Sequence, residues 1–208
     1  MSNNNKIEIG INQRIPIGLL EMSLQAVLEG TGTPEYFYEL AATEYHGENR
    51  IKKATYVMNR LTHRNPLMPF LQEHKEEVLA GLRNKPSRTL ILSGIINSAY
   101  SFGYDLTEIL GKYLHVQEQV PTHLLSAKLA EKYGSNRSLP NAMNCIIPMH
   151  IEAGLFHRPY PGFFELRKAE NYSPLAFEVY RRSFLQHNPA LPHNAVITDY
   201  AYFEFVQL

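Results

Sequence analysis

The sequence predicts a mainly α-helical protein, and three observations support that prediction. Apolar residues recur at helical spacing in segment after segment, and the connections between those segments are short. Strand signals are confined to a Pro/Gly hairpin after residue 154 and to the aromatic tail. With 44% hydrophobic residues, the 208-residue chain can bury a substantial core. We expect an all-α bundle over residues 1–118, a unit of helices and a short β-hairpin over residues 119–170, and a C-terminal helix with an aromatic tail over residues 171–208 that packs on the core.

The first three helices of the bundle follow from apolar spacing and capping residues. Residues 16–30 are apolar nearly all round, which is typical of a helix buried on several sides, and Gly30 ends it. Thr33 followed by Pro34 provides the N-cap and the first position of a second helix. Residues 48–64 have the clearest amphipathic pattern in the chain.

Three further helices complete the predicted bundle. Residues 67–82 form one helix with an apolar inner face. Residues 88–103, capped by Ser87, are the most apolar segment and form the expected central helix. Asp105 begins a shorter helix that runs to Tyr113.

The formal net charge is zero, with 20 basic and 20 acidic side chains, but the charges are segregated. Residues 1–50 are acidic on balance, whereas residues 51–90 and 121–168 are basic. With such asymmetry, one region of the surface can bind an anionic partner although the protein as a whole is not basic. The helix over 48–64 has a cationic stripe, which is either a solvated face or a phosphate-contacting surface. The stripe consists of Arg50, Lys53, Arg60 and Arg64.

Two helices joined by a short turn are predicted between residues 121 and 153. The first runs to Tyr133, Gly134 stops it, residues 135–138 form the turn, and the second helix runs from Leu139 to Ala153. This is the layout of a helix-turn-helix. The side of the second helix opposite its apolar face has residue types that read adenine and guanine edges. These residues are Arg137, Asn141 and Asn144.

Residues 154–168 read as two short strands around a Pro/Gly turn, and that turn would be a wing. With Leu-Ala-x-x-Tyr-Gly at 129–134, Ser138, and Ala-Gly-Leu at 153–155, the segment resembles a winged helix-turn-helix domain. That resemblance implies DNA binding, although some such domains make only protein contacts. Pro148 would remove a hydrogen bond from the second helix and cost about 3 kcal/mol or kink it. The basic residues expected around the module are Lys128, Lys132, Arg158, Arg167 and Lys168.

The layout of the whole chain extends this resemblance. A bundle with a basic helix, a central helix around Ser98-Ala99-Tyr100, and a module ending in Glu152-Ala153-Gly154-Leu155 are similar to the family of small A-proteins of BREX phage-defence systems. The resemblance implies a NusB-like helical bundle joined to a winged helix, duplex DNA binding and a role in antiviral defence.

Enzymatic chemistry has no sequence support. The nine histidines form no HExxH motif and no i, i+4 pair, and we expect most of them at the surface or at helix caps. There is no glycine-rich phosphate loop and no GxSxG elbow. The single Cys145 excludes an internal disulfide and a multi-cysteine metal site, and its spacing to His150 and His157 matches no standard metal site. We therefore expect no cofactor and no metal.

No stretch reaches the roughly 18 to 20 apolar residues of a membrane span, and the first residues lack the pattern of a signal peptide. We expect a cytoplasmic protein with no membrane contact. Two functional hypotheses remain. The first is a non-enzymatic protein that binds double-stranded DNA, alone or with other subunits of a defence or regulatory complex. The second is a scaffold whose winged module and aromatic tail hold other subunits of a multiprotein complex. Neutral net charge and Pro148 favour the second.

Overall fold

A computed structural model describes residues 9–134, 136–192 and 194–208, and it confirms the mainly helical fold class. Ser135 of the predicted turn lies outside the described residues. The helices within these ranges are α1 (Ile17–Glu29), α2 (Pro34–Glu44), α3 (Glu48–Leu61), α4 (Met68–Glu73), α5 (Lys75–Leu82), α6 (Lys85–Ala99), α7 (Ser101–Leu114), α8 (Thr122–Tyr133), α9 (Leu139–Ala153) and α10 (Pro174–His187). The strands are β1 (Gln119–Pro121), β2 (Phe156–His157) and β3 (Phe163–Leu166).

The first three helices confirm the predictions from spacing and caps. The α1 helix buries residues on most of its circumference, and Gly30 follows it in a left-handed conformation with φ of 81°. The Thr33 side chain accepts a hydrogen bond from the Tyr36 amide at 3.1 Å, so it caps α2 as predicted. The α3 helix buries the predicted apolar stripe on one side.

The predicted helix over 67–82 is wrong in one respect, because the structure has two helices there. The helix is interrupted at His74, between α4 and α5, where φ is −109° and ψ is 29°. The His74 ring lies 4.6 Å from the Phe70 ring, and its Nδ1 is 3.2 Å from Glu77 Oε1. The spacing of apolar residues in the sequence does not reveal an interruption of one residue, because α4 and α5 bury the same side of the segment.

The central helix is α6, and its predicted boundaries are also wrong. It begins at Lys85, since Asn84 caps it by accepting a hydrogen bond from the Ser87 amide at 3.0 Å. The hydroxyl of Ser87 instead accepts one from the Ser173 amide at the start of α10. Extended backbone at Tyr100 ends α6, so α7 begins at Ser101 rather than at Asp105. Almost every residue of α6 is buried.

The predicted hairpin is confirmed, and a third strand joins it. Both β1 and β2 pair with β3 in antiparallel register, which gives the sheet order β1-β3-β2. The sequence analysis missed β1 because it has only three residues, one of which is the buried Val120 paired with Phe164. The sheet therefore closes against the start of α8, where the Thr122 amide donates to the Gly162 carbonyl at 2.7 Å.

The prediction of a strand-like tail is wrong. The tail forms two short 3₁₀ helices, Ile197–Asp199 and Ala201–Phe205, and the second lies against α7. Its aromatic side chains Tyr202, Phe203 and Phe205 are at most 2% exposed. The tail comes this close because Gly111 of α7 has no side chain to block the Ala201 carbonyl. Alternating aromatic residues look like a strand in sequence, but here all three are buried in the core.

Candidate nucleic-acid interface

The exposed face of α9 carries the residues predicted to read bases. Asn141 and Asn144 are exposed, and Pro148 lies half-buried one turn further along the same face. The opposite face packs into the core through Met143, Ile146 and other buried apolar residues. The division follows from the 3.6-residue helical period, which places residues i, i+3 and i+7 on one side. Two amides are thus presented to solvent on the surface of a well-anchored helix.

Pro148 does not end α9. The helix runs without interruption from Leu139 to Ala153, with Pro140 in its first turn. Proline lacks the N–H that would bond the Asn144 carbonyl. The surrounding helix is held from its buried side by Ile146, Ile147 and Met149, which are at most 4% exposed. Packing of this face offsets the cost of the missing hydrogen bond.

A groove lies beside Asn144. It has a volume of about 580 Å³ and runs between the start of α8, the first half of α9 and the tip of the hairpin. Among the described residues, no Asp, Glu, Lys or Arg side chain lines it, and its surface is mainly apolar. The lining residues are Pro121, Thr122, His123, Ser126, Pro140, Met143, Asn144, Gly162 and Phe163.

The other flank of α9 is covered by residues 9–16, which we call the N-terminal strap. Three strap isoleucines, Ile9, Ile11 and Ile15, are buried. Arg14 of the strap forms an ion pair with Glu152 of α9, and the same carboxylate accepts a hydrogen bond from the Ile17 amide at 2.9 Å. Glu152 therefore caps the start of α1, where a negative charge is favourable. The strap and α1 together fix the position of the second half of α9.

The strap also connects α9 to the corner between α2 and α3. The Tyr45 hydroxyl, just after α2, donates to the Arg14 carbonyl at 2.5 Å. Burial raises the pKa of the neighbouring Cys145 thiol on α9 to about 11, so this cysteine is protonated at neutral pH. The exposed face of α9 consequently has the groove on one side and the strap with the α2–α3 corner on the other.

The four cations predicted on α3 do not share one environment. Arg50 and Lys53 are exposed, and Arg64 just beyond the helix is exposed with its guanidinium 6.0 Å from the Tyr56 ring centre. None of the three forms an ion pair with a residue that the structure describes. These three cations are free to contact a ligand.

Arg60 is committed to the fold. Its Nε donates to the Ala99 carbonyl at 3.3 Å, and its guanidinium lies 4.6 Å from the ring centre of the buried Tyr100. Its terminal nitrogens also lie against Gly10 of the N-terminal strap. The side chain joins α3, the end of α6 and the strap, so it has a structural role whether or not phosphate is present.

The cations around α8, the hairpin and β3 divide in the same way. Lys132 binds the buried carboxylate of Asp105 at 2.6 Å, which also accepts a hydrogen bond from the Tyr133 hydroxyl. Lys128 pairs with Glu131 at 2.7 Å, and Lys168 pairs with Glu204 at 3.3 Å. The remaining three are exposed and form no ion pair within the described ranges. They are Arg137, Arg158 and Arg167.

The distances along α9 separate these three free arginines. Arg137 precedes Asn141, and Arg158 begins the turn of the hairpin, where its guanidinium lies 5.1 Å from the Phe164 ring centre. Arg167 lies by contrast near Gly154, at the far end of α9. Thirteen residues of helix separate Gly154 from Asn141, which is about 20 Å at 1.5 Å per residue. Arg137 thus lies just before α9, and Arg158 lies on the hairpin whose tip lines the groove beside Asn144, whereas Arg167 and Lys168 lie toward the far end of α9.

A buried polar network beneath α9 was not predicted from the sequence. His150 Nε2 lies 3.0 Å from Asn97 Oδ1, and the Asn97 amide nitrogen donates to the Tyr202 hydroxyl at 2.7 Å. Tyr202 is also within hydrogen-bond distance of Ser183 on α10, at 2.7 Å. His150 is fully buried and is an exception to the expectation that most histidines lie at the surface or at helix caps, and burial lowers its pKa to about 3. This neutral imidazole joins α9 to α6 and to the tail. The signal available in the sequence for this network was a histidine on the apolar face of a predicted helix.

Among the described residues, no three or more His, Cys, Asp or Glu side chains are grouped so that they could hold a metal ion. None of the described helices has the length and apolarity needed to cross a membrane. Comparisons of the chain with known protein families, with curated proteins and with solved structures find no match.

Proposed function

We propose that the chain is a non-enzymatic protein that binds double-stranded DNA, with α9 as its recognition helix. The observation that carries the proposal is the exposed face of α9, where Asn141 and Asn144 have no hydrogen-bond partner among the described residues. Side-chain amides of this kind bind the edges of bases in the major groove. Two exposed arginines lie nearby in the chain: Arg137 just before α9, and Arg158 on the hairpin.

The order of elements supports a winged helix-turn-helix arrangement. From α7 the chain continues through β1, α8, α9, β2, a five-residue turn and β3, and the strands are ordered β1-β3-β2. A helix, a short turn and a recognition helix followed by a hairpin wing is how such domains meet duplex DNA. The wing in this proposal is the turn from Arg158 to Gly162.

Six of the cations predicted to contact DNA are exposed and form no ion pair with a described residue, and they set the scale of phosphate binding. They are Arg50, Lys53, Arg64, Arg137, Arg158 and Arg167. If all six contacted phosphates, the logarithm of the association constant would fall against the logarithm of salt concentration with a slope of about −5. A smaller number of contacts gives a shallower slope. The net charge of zero does not argue against this proposal. The cations assigned to DNA form no ion pair within the described ranges, and the cations that do pair with acidic side chains of the protein are not assigned to DNA.

We propose the same biological setting that the sequence resemblance implies, a NusB-like bundle with a winged helix in a BREX-like phage-defence system, acting with or without other subunits. The scaffold alternative loses its most specific element, because the aromatic side chains of the tail are buried in the core. A scaffold would instead use a surface such as the groove of about 790 Å³ between α4 and α10, which Phe70 and Arg182 line.

The test is fluorescence anisotropy of a labelled 20-bp duplex of mixed sequence, titrated with the full chain across a salt series. We expect binding that weakens log-linearly with salt. The variant Arg50→Glu with Lys53→Glu should bind more weakly and make the slope shallower by about 2. The matched control, Lys75→Glu with Arg83→Glu on and beside α5, makes the same change in charge away from α9. Absence of binding at about 50 mM salt would refute DNA binding.

A further inference from the structure

We infer that the α9 face and the groove beside it select A·T base pairs, with Asn144 on the adenine edge and the groove on the thymine methyl group. The inference rests on the proposed function and adds a sequence preference to it. It is drawn from a difference within the proposed interface: its centre has side-chain amides and an apolar groove, whereas exposed arginines lie around that centre.

The residue types on α9 favour adenine over guanine. An Asn side chain has one donor and one acceptor, which match N7 and N6 of adenine together. Guanine presents two acceptors there, N7 and O6, and pairs best with Arg or Lys. The α9 segment contains no Lys or Arg, His150 is buried, and the Glu152 carboxylate is occupied by Arg14 and Ile17. Amides are therefore the polar side chains that α9 offers to a base edge.

The groove next to Asn144 matches the other half of the same base pair. Met143, Pro140 and Phe163 give it an apolar wall, and no Lys or Arg of the described residues lines it. The C5 methyl group of thymine is the apolar feature of the major groove, and it lies on the pair that presents adenine N6 and N7. A G·C pair offers no methyl group and adds the cytosine amino donor.

The charges at the margins complete the separation of roles. Arg137 precedes α9 and Arg158 lies on the hairpin, and neither of them lines the groove. Contacts to phosphate position a protein on the duplex, whereas contacts to base edges provide specificity. Amide and methyl contacts would thus select the base pair, while the two arginines would bind the backbone.

The experiment compares four 16-bp duplexes with identical ends, using anisotropy with the full chain. The central eight pairs are A·T, G·C, A·T with 7-deazaadenine, or A·T with uracil in place of thymine. The two modified duplexes lose only adenine N7 or the thymine methyl group, so their minor grooves keep the same polar edges. We expect about tenfold tighter binding to A·T than to G·C. We expect loss of most of that preference with 7-deazaadenine and about fourfold weaker binding with uracil.

Asn144→Ala should bring A·T and G·C affinities close together while binding to G·C is retained. Asn194→Ala is the matched control, since Asn194 is an exposed amide near the C terminus, and it should keep the preference. Equal affinity for A·T and G·C would overturn the inference and leave DNA binding standing. A preference for A·T that survives both modified bases would overturn it in favour of reading through the minor groove. Failure to bind any duplex would instead refute the proposed function itself.

Discussion

Replacing Gly111 by Ala should destabilise the protein strongly, because the tail and α7 meet at this residue. A Cβ atom at position 111 would lie 2.0 Å from the Ala201 carbonyl oxygen and 3.0 Å from its carbonyl carbon. Both atoms belong to the backbone, so no side-chain rotation relieves the overlap. Either α7 or the second 3₁₀ helix must move.

The cost can be bounded from both directions. Overpacking a closed core costs about 1–3 kcal/mol when neighbours adjust. If the tail detaches instead, Tyr202, Phe203 and Phe205 lose their burial, which is worth about 1.5–3 kcal/mol for each large apolar side chain. The protein will follow the cheaper route, so we expect a loss of about 3 kcal/mol. For a chain of this length, that corresponds to a fall in Tm of about 6–12 °C.

The assay is thermal unfolding followed by circular dichroism, with Gly18→Ala as the matched control. Gly18 also lies in a helix, but a Cβ there meets no atom within 4 Å. Alanine has the higher helix propensity, so this control should gain up to about 1 kcal/mol. A Gly111→Ala protein as stable as the parent would refute the packing of the tail against α7. Equal losses in both variants would refute the idea that the close approach is responsible.

Three further outcomes follow from individual side chains. The folded state keeps His150 neutral, with its pKa lowered to about 3, whereas the unfolded chain protonates it below about pH 6.5. The stability it contributes is therefore lost as pH falls below 6.5, by up to about 1.4 kcal/mol per pH unit. Between pH 7 and 5.5, the free energy of unfolding measured in urea should depend less on pH for His150→Gln than for the parent protein. The same pH dependence in both proteins would contradict this. Lys132→Met should lower the free energy of unfolding in urea by about 1–2 kcal/mol, because it leaves the buried Asp105 carboxylate without its half-exposed cation. Lys128→Met should change that free energy by less than about 0.5 kcal/mol. Equal effects of the two substitutions would refute the distinction between the buried and the exposed ion pair. Arg60→Ala should lower Tm, whereas Arg50→Ala should leave Tm unchanged and weaken DNA binding in the anisotropy assay; the reverse pattern would show that Arg60 is not structural.

Periodicity predicted which segments are helical, and side-chain contacts decided where they end. The α1, α2, α8 and α9 helices appear where apolar spacing and local caps place them. The boundary between α6 and α7 could not be found in this way, since every residue from Thr89 to Tyr100 is buried. Burial on all sides removes the polar face whose end would mark the helix terminus.

The role of each cation could not be read from charge counts. Lys132 pairs with Asp105, 27 positions earlier, and Arg60 bonds the Ala99 carbonyl, 39 positions later. Only pairs three or four residues apart on one helix are visible in sequence. Lys128 with Glu131 was such a pair. Of the predicted cations that have partners within the protein, only the pairing of Lys128 could be read from the sequence, whereas those of Arg60, Lys132 and Lys168 needed the tertiary structure.

The three supports of α9 explain why the unit over residues 119–170 does not stand apart from the bundle. Its buried side is tied to α6 through His150 and Asn97, and its C-terminal end is tied to α1 through Glu152. The preceding helix is tied to α7 through Asp105. All of these bonds cross the boundary at residue 118 or involve the bundle directly. A helix fixed at this many points cannot reorient at little cost. If α9 is the recognition helix proposed above, adjustment to DNA must come from exposed side chains, the hairpin turn, or deformation of the duplex itself.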